Sequence, residues 1–265
     1  MEGEGYLKTT NSMKLVYSTL ITMVFLAFSS PLKAGETGFA YQERLYQIYQ
    51  SGEMTQWVEV LDAMKLEYQS TPNVDLLYDI TLTQYGYIGY LLGIKDNRTA
   101  RRYLADAEEN VERLALRRPN DANVLALKGA LLAYHIALAP YKAPFIGPRS
   151  MAIISESFEL NPNAPQALLE KANSAHYAPL MFGGDPNLAV RYYAKAIAAF
   201  ESTNGGVAPR SWIYLNAYAQ MALAFEKAKQ HQNAKRTYLH ILTIAPDFKW
   251  VRDELYPKFI KKNNL

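Results

Sequence analysis

From about residue 39 to residue 262, apolar side chains recur at spacings of three and four, and no alternating β-branched run interrupts them. That periodicity predicts amphipathic helices and an all-α fold. Prolines punctuate the pattern at "YQSTPN" (Pro72), "LRRPND" (Pro119), "ELNPNA" (Pro162) and "TIAPDF" (Pro246). The first three are nearly evenly spaced, the fourth follows after about twice that interval, and "ESTNGGVAP" supplies a further break between them. A period of about 40 residues with a helix pair between breaks is the signature of a solenoid.

The last unit, "YAQMALAFEKAKQHQNAKRTYLHILTIAP", resembles a tetratricopeptide repeat. Tyr218, Met221, Ala222 and Phe225 follow the first-helix order of aromatic, large apolar, small, aromatic. Ala234, Tyr238, Ile241 and Pro246 follow the second-helix order. Small residues stand where helices cross closely, and aromatics fill the space beside them. Ala189, Tyr193 and Ala196 match in the preceding unit, with Glu201 in place of the closing proline. Ile154 and Pro162 match in the unit before, with Ser157 at a usually small apolar position, and Ala107 and Pro119 match earlier. The resemblance implies a right-handed TPR-like α-solenoid of about five helix pairs, whose units exceed the usual repeat length. Taken whole, the chain is similar to exported tetratricopeptide-repeat proteins of Bacteroidetes-type bacteria, and more distantly to the periplasmic helical accessory subunit of TRAP-type transporters.

The run "LLYDITLTQYGYIGYLLGIKD" is apolar enough to suggest a membrane span, but Asp75 and Asp79 enter its first turns. Gly86, Gly89 and Gly93 fall roughly along one side, so a soluble helix in close contact with its neighbours is expected. Each glycine costs a helix about 1 kcal/mol against Ala, which tight packing must offset.

Two stretches break the helices differently. "YKAPFIGPRSMAI" and "YAPLMFGGDPNLAV" share Tyr, Ala-Pro, large apolar residues, Gly and Pro in the same order. Both are expected to form enlarged bends between the helices of successive units. Asp185 should cap the following helix, with Pro186 in its first turn, where a missing N–H is harmless. A carboxylate already at that helix start argues against phosphate binding there. The bends carry Tyr141, Phe145, Ile146, Leu180, Met181 and Phe182. Inward packing of these side chains is the expectation; the alternative is a contact patch.

Composition narrows the possibilities. The 20 tyrosines, against 10 Phe and 3 Trp, suit helix interfaces that border polar ground. A net charge of +3 without a basic stripe argues against nucleic acid. Zero cysteines exclude disulfides, thiolate metal sites, cysteine nucleophiles and a lipidated cysteine. The stretch "MKLVYSTLITMVFLAFSSPLKAG" has the charged, apolar, small-residue order of an export signal, and its apolar run is short for a membrane span. Residues 1–34 are therefore expected to be a signal, with Met13 as the start and cleavage near Ala34. Residues 35–265 would then be one repeat domain, periplasmic or secreted, without a stable span.

None of the four histidines stands at metal-ligand spacing, and no nucleophile elbow or phosphate loop occurs. No catalytic, cofactor or metal site is expected, and the chain reads as a non-enzyme. His135 and His176 lie near the bends, where a paired site is conceivable but a structural role is favoured. Glu108 and Glu109 read as solvated. The family resemblance puts Asn216 and Gln220 on the groove side of the last unit, where carboxamides could hold a peptide backbone. Candidate contact residues are thus Tyr141, Phe145, His176, Phe182, Asn216 and Gln220. Two functions follow: an envelope scaffold gripping a protein or peptide in an open polar groove, or a transport-accessory protein enclosing a small, partly apolar ligand in a cavity of ~300–1,000 Å³.

Overall fold

The computed structural model describes residues 38–206 and 209–265. The export-signal reading concerns residues outside these. The described residues form five helix pairs: α1 (Gly38–Ser51) with α2 (Thr55–Ser70), α3 (Val74–Gly93) with α4 (Asn97–Arg117), α5 (Ala122–Leu138) with α6 (Ala143–Leu160), α7 (Pro165–Tyr177) with α8 (Pro186–Thr203), and α9 (Trp212–Lys227) with α10 (His231–Ile244). A wide π turn, Trp250–Leu255, leads into a closing helix, α11 (Tyr256–Asn263). No strand occurs among the described residues.

Local chemistry sets the helix starts. The side chains of Asn73, Asp96, Asp121 and Asp185 each accept a bond from backbone N–H groups of the first turn of α3, α4, α5 and α8. These bonds satisfy donors that a helix start otherwise leaves open. Pro165 and Pro186 occupy the first turns of α7 and α8.

The small residues of the repeat pattern lie where the helices cross. Ala107, Ala189, Ala196, Ala222 and Ala234 are fully buried, as are Tyr193 and Tyr238. Ser157, the apparent misfit, is also fully buried, and its hydroxyl donates to the carbonyl of Ala122 at 2.7 Å. Glu201 accepts a bond from the Tyr214 hydroxyl at 2.7 Å and, through its carbonyl, from the amide of Gly206 at 2.8 Å. It ends α8 without a proline. No described helix is long and apolar enough to cross a membrane. In α3, Gly86 faces the Trp212 indole and Gly89 the Tyr134 hydroxyl, whereas Gly93 faces open space.

The array closes on itself. The Tyr49 hydroxyl of α1 donates to Asn216 Oδ1 of α9 at 3.0 Å. Arg210 makes two bonds to the Glu43 carboxylate, at 2.6 and 2.8 Å, and lies over the Tyr46 ring. Trp57 and Trp212 meet edge to face at 5.3 Å, with Tyr49 6.0 Å from Trp212. The first and fifth pairs are therefore in direct contact, largely through aromatic rings.

Candidate binding surface

The groove side of the inner helices is a polar-aromatic seam. Tyr85 and Tyr134 stack at 5.3 Å. Asn173 Nδ2 donates to Glu170 Oε2 at 3.0 Å, Gln166 Nε2 donates to Glu170 Oε1 at 2.7 Å, and the Tyr193 hydroxyl donates to Asn173 Oδ1 at 2.7 Å. Glu170 is almost fully buried, no cation among the described residues pairs with it, and burial pushes its carboxyl up to about 7.

Asn216 and Gln220 are half-buried and bonded to their own chain. Asn216 accepts from Tyr49, and Gln220 Oε1 accepts from the Tyr177 hydroxyl at 2.6 Å. Both carboxamides are thus already engaged by tyrosines of their own chain. His176 is buried beside Tyr177 and Tyr193, and its carbonyl accepts a bond from Lys227 Nζ. Burial, helped by the Lys227 charge, brings its imidazole down to about 4, so it is neutral at ordinary pH. His135 is elsewhere, with Nε2 2.8 Å from Glu108 Oε1. The two histidines do not form a site, and Glu108 is joined to His135 rather than simply solvated. Among the described residues no cluster of three or more His, Asp or Glu could hold a metal.

The bends overturn the inward-packing expectation. Tyr141 is 77% exposed, Phe145 83%, Leu180 80% and Met181 82%; Phe182 is about half exposed and Ile146 partly buried. The backbone explains this for the second bend. Leu180–Phe182 is one 3-10 turn, and Gly183 follows at φ +86°. The amides of Gly184 and Asp185 bond to the carbonyls of Pro179 and Ala175, at 3.0 and 2.9 Å. The loop is thus closed beneath by main-chain bonds, and its three side chains have no core to enter.

The first bend is not the equivalent element that its sequence suggests. Pro140–Lys142 form a 3-10 turn, and α6 starts at once, with Pro144 and Pro148 inside it. Only Ser150, Ile154 and Ser157 of α6 are buried, so Tyr141, Phe145 and Met151 remain outside. The two elements still meet, since a Cβ on Gly183 would lie 3.8 Å from Met151 Cε. Tyr177, at the end of α7, is exposed as well. Lys142 and Arg149 are exposed in the first bend, and residues 138–155 contain no carboxylate. The sequence reading missed Met151 and these two cations beside the bends.

The glycines of "FGGD" have a clear structural duty. A Cβ on Gly184 would collide with the Ala178 carbonyl, and one on Gly183 would strain the left-handed backbone. Asp185 Oδ1 accepts from the amides of Asn187 and Leu188 at 2.8 and 3.1 Å. Asp185→Ala is expected to cost ~0.5–2 kcal/mol through the lost cap. Gly184→Ala should cost more, because the obstacle is backbone rather than a movable side chain. Equilibrium urea unfolding of the two variants checks the order.

Five helix pairs of this geometry define a tetratricopeptide-like α-solenoid. No protein-family model matches the chain, and no curated protein matches its sequence. Solved structures that share its fold include two helical proteins. A thermophilic TPR protein of Thermus thermophilus superposes with a TM-score of 0.55 at 15% identity, over 84% of this chain and 98% of that one. The HusA haemophore from Porphyromonas gingivalis superposes with a TM-score of 0.55 at 17% identity, over 73% of this chain and 96% of that one. At these identities the likeness is one of fold.

Proposed function

We propose that this protein is a non-enzymatic binding scaffold of the cell envelope, periplasmic or secreted, and that it engages a protein partner through the exposed edge formed by the two bends. The observation that carries the reading is the exposure of Tyr141, Phe145, Leu180 and Met181 on adjoining elements, while Asn216 and Gln220 are engaged by Tyr49 and Tyr177 of the same chain. A contiguous apolar patch of this kind marks a contact site on a soluble protein. Lys142 and Arg149 at its margin suit a partner segment that carries an acidic residue beside its apolar face.

A photo-crosslinking amino acid at position 145 or 182, in the host envelope, should trap the same partner; one at Gln232 on α10 should not. Phe145→Ser and Phe182→Ser should reduce capture at least about tenfold. Surface changes of this kind shift stability by roughly 0.5 kcal/mol or less. Full capture by both variants rejects the reading.

A second reading, a small flat apolar ligand bearing carboxylates, is favoured by the same two cations and by the fold shared with a haemophore. A haemin titration separates the two. A saturable Soret shift lost in Phe145→Ser would move the function from protein partner to ligand.

A further inference from the structure

The two bends stand in a row of turns, and side chains tie each turn to the next. Arg101, in the second turn of α4, donates to the carbonyl of Leu138 at 3.0 Å, at the base of the first bend. Gly183 of the second bend adjoins Met151 of the first. Lys227, at the end of α9, donates to the carbonyl of His176 at the base of the second bend. Gln230, in the turn between α9 and α10, donates to Asn187 Oδ1 at 2.7 Å, just past that bend. The start of α4, the two bends and the α9–α10 turn are therefore neighbours in that order.

This row is rich in cations. Arg98 stands one turn before Arg101 on the same face of α4 and is exposed, as is Lys229 in the α9–α10 turn. With Lys142 and Arg149 between them, positive charge lies within the apolar surface and on both sides of it. Free carboxylates are scarce. Residues 97–105, 138–155, 171–184 and 227–246 contain no Asp or Glu. Asp96 and Asp185, next to the turns, accept from amides of the helix starts that follow them. Glu226 accepts from the Tyr238 hydroxyl at 2.6 Å, Glu108 is joined to His135, and Asp106 faces Lys65. Lys142, Arg149 and Lys229 form no ion pair among the described residues, and Arg98 acts on Asp96 only from beyond ion-pair distance.

Cations gathered without counter-charges repel one another, and an anionic partner relieves them. Packed helices lie about 8–10 Å apart, so the row spans roughly 25–30 Å, the reach of about nine residues of extended chain.

We infer that the row takes a single segment of the partner protein, in which apolar side chains are flanked on both sides by carboxylates. The apolar centre sits on Phe145, Leu180 and Met181. One acidic arm meets Arg98 and the other meets Lys229. This inference rests on the proposed function and names the chemistry of its partner.

Isothermal titration of the full chain with the peptide acetyl-DEDLFLDED-amide is the test. Acetyl-NQNLFLNQN-amide lacks the charges, and acetyl-DEDSSSDED-amide lacks the apolar centre. The first peptide is expected to bind at least about tenfold more tightly than either. Raising NaCl from about 0.01 M to about 1 M shortens the screening length from about 30 to about 3 Å and should abolish its lead over the uncharged peptide. Arg98→Glu combined with Lys229→Glu should abolish the same lead at low salt. The uncharged peptide should bind this variant as it binds the parent, which shows that the fold is intact. Equal binding of charged and uncharged peptides, or a lead that survives the double variant, overturns the acidic arms. Equal binding of the serine peptide overturns the apolar centre. No binding of the first peptide at about 1 mM, the weak end of specific affinities, overturns the inference. Failure of the peptide together with co-sedimentation on phosphatidylglycerol vesicles, lost in the double variant, does so by giving the row to a lipid surface. Capture in the host envelope separates this inference from the reading beneath it. Capture lost in Phe145→Ser but complete in the double variant overturns the acidic arms alone and leaves the proposed function standing.

Discussion

Trp212→Ala is expected to destabilise the protein by about 3–5 kcal/mol, the range for removing a large buried aromatic. Trp212 is 2% exposed, and it joins three helix pairs. Its ring meets Trp57 and Tyr49 of the first pair and lies against Gly86 of the second. Its indole N–H has no partner, so the loss is one of packing and not of a hydrogen bond. The glycine supplies a sharper form of the test. A Cβ on Gly86 would lie 2.6 Å from the nearest indole carbon and 3.0 Å from two more. Gly86→Ala should therefore cost roughly 1–3 kcal/mol by overpacking, even though alanine favours the helix by about 1 kcal/mol. In the Trp212→Ala background the obstacle is gone. There the same glycine substitution should turn neutral or stabilising, a coupling of about 2 kcal/mol or more. Urea unfolding of the four-member cycle measures it. Additive losses would mean that Gly86 is not held open for the indole.

That junction also marks where reading the chain alone stops. The helix pairs were legible because their signals are local. Asn73, Asp121 and Asp185 cap within three residues, and Ala234 and Tyr238 carry a one-turn spacing. Closure of the array was not legible. It rests on Tyr49 with Asn216 and on Glu43 with Arg210, pairs 167 residues apart that no periodicity links. Asn216 and Gln220 are bonded to tyrosines from α1 and α7, partners that no local pattern indicates. The bends misled for another reason. "YKAPFIGP" and "YAPLMFGGDP" share residue types, yet Pro144 stands in the first turn of a helix and Pro148 inside it, whereas Gly183 and Gly184 stand in an open turn. Apolar content alone does not say whether a short loop has a core to enter.

Glu170→Gln should stabilise the protein at pH 8 and leave it nearly unchanged at pH 4.5. Burial raises the carboxyl from 4.5 to about 7, so the folded state holds its proton more tightly than the unfolded chain. For a group raised in this way, its stabilising contribution is complete below the unfolded value and is lost as pH rises through the folded one. The span of that shift corresponds to a loss on the order of 3 kcal/mol between pH 4.5 and pH 8. Glutamine is neutral throughout and keeps the shape. If Gln166 turns its amide, it can accept from the new Nε2, while the new oxygen still accepts from Asn173, so the bonds around the site survive. Two other groups titrate in the same range. Burial lifts Asp79 to about 6, which acts in the same sense as Glu170, and lowers His176 to about 4, which acts in the opposite one by destabilising the fold as pH falls below 6.5. Both remain in the variant, so the difference between the two proteins isolates Glu170. Urea midpoints at pH 4.5, 6 and 8 should show that difference growing with pH. A constant difference would mean that the carboxylate is already ionised at low pH in the folded state, and that the Tyr85, Gln166 and Asn173 dipoles around it are enough to hold a buried charge.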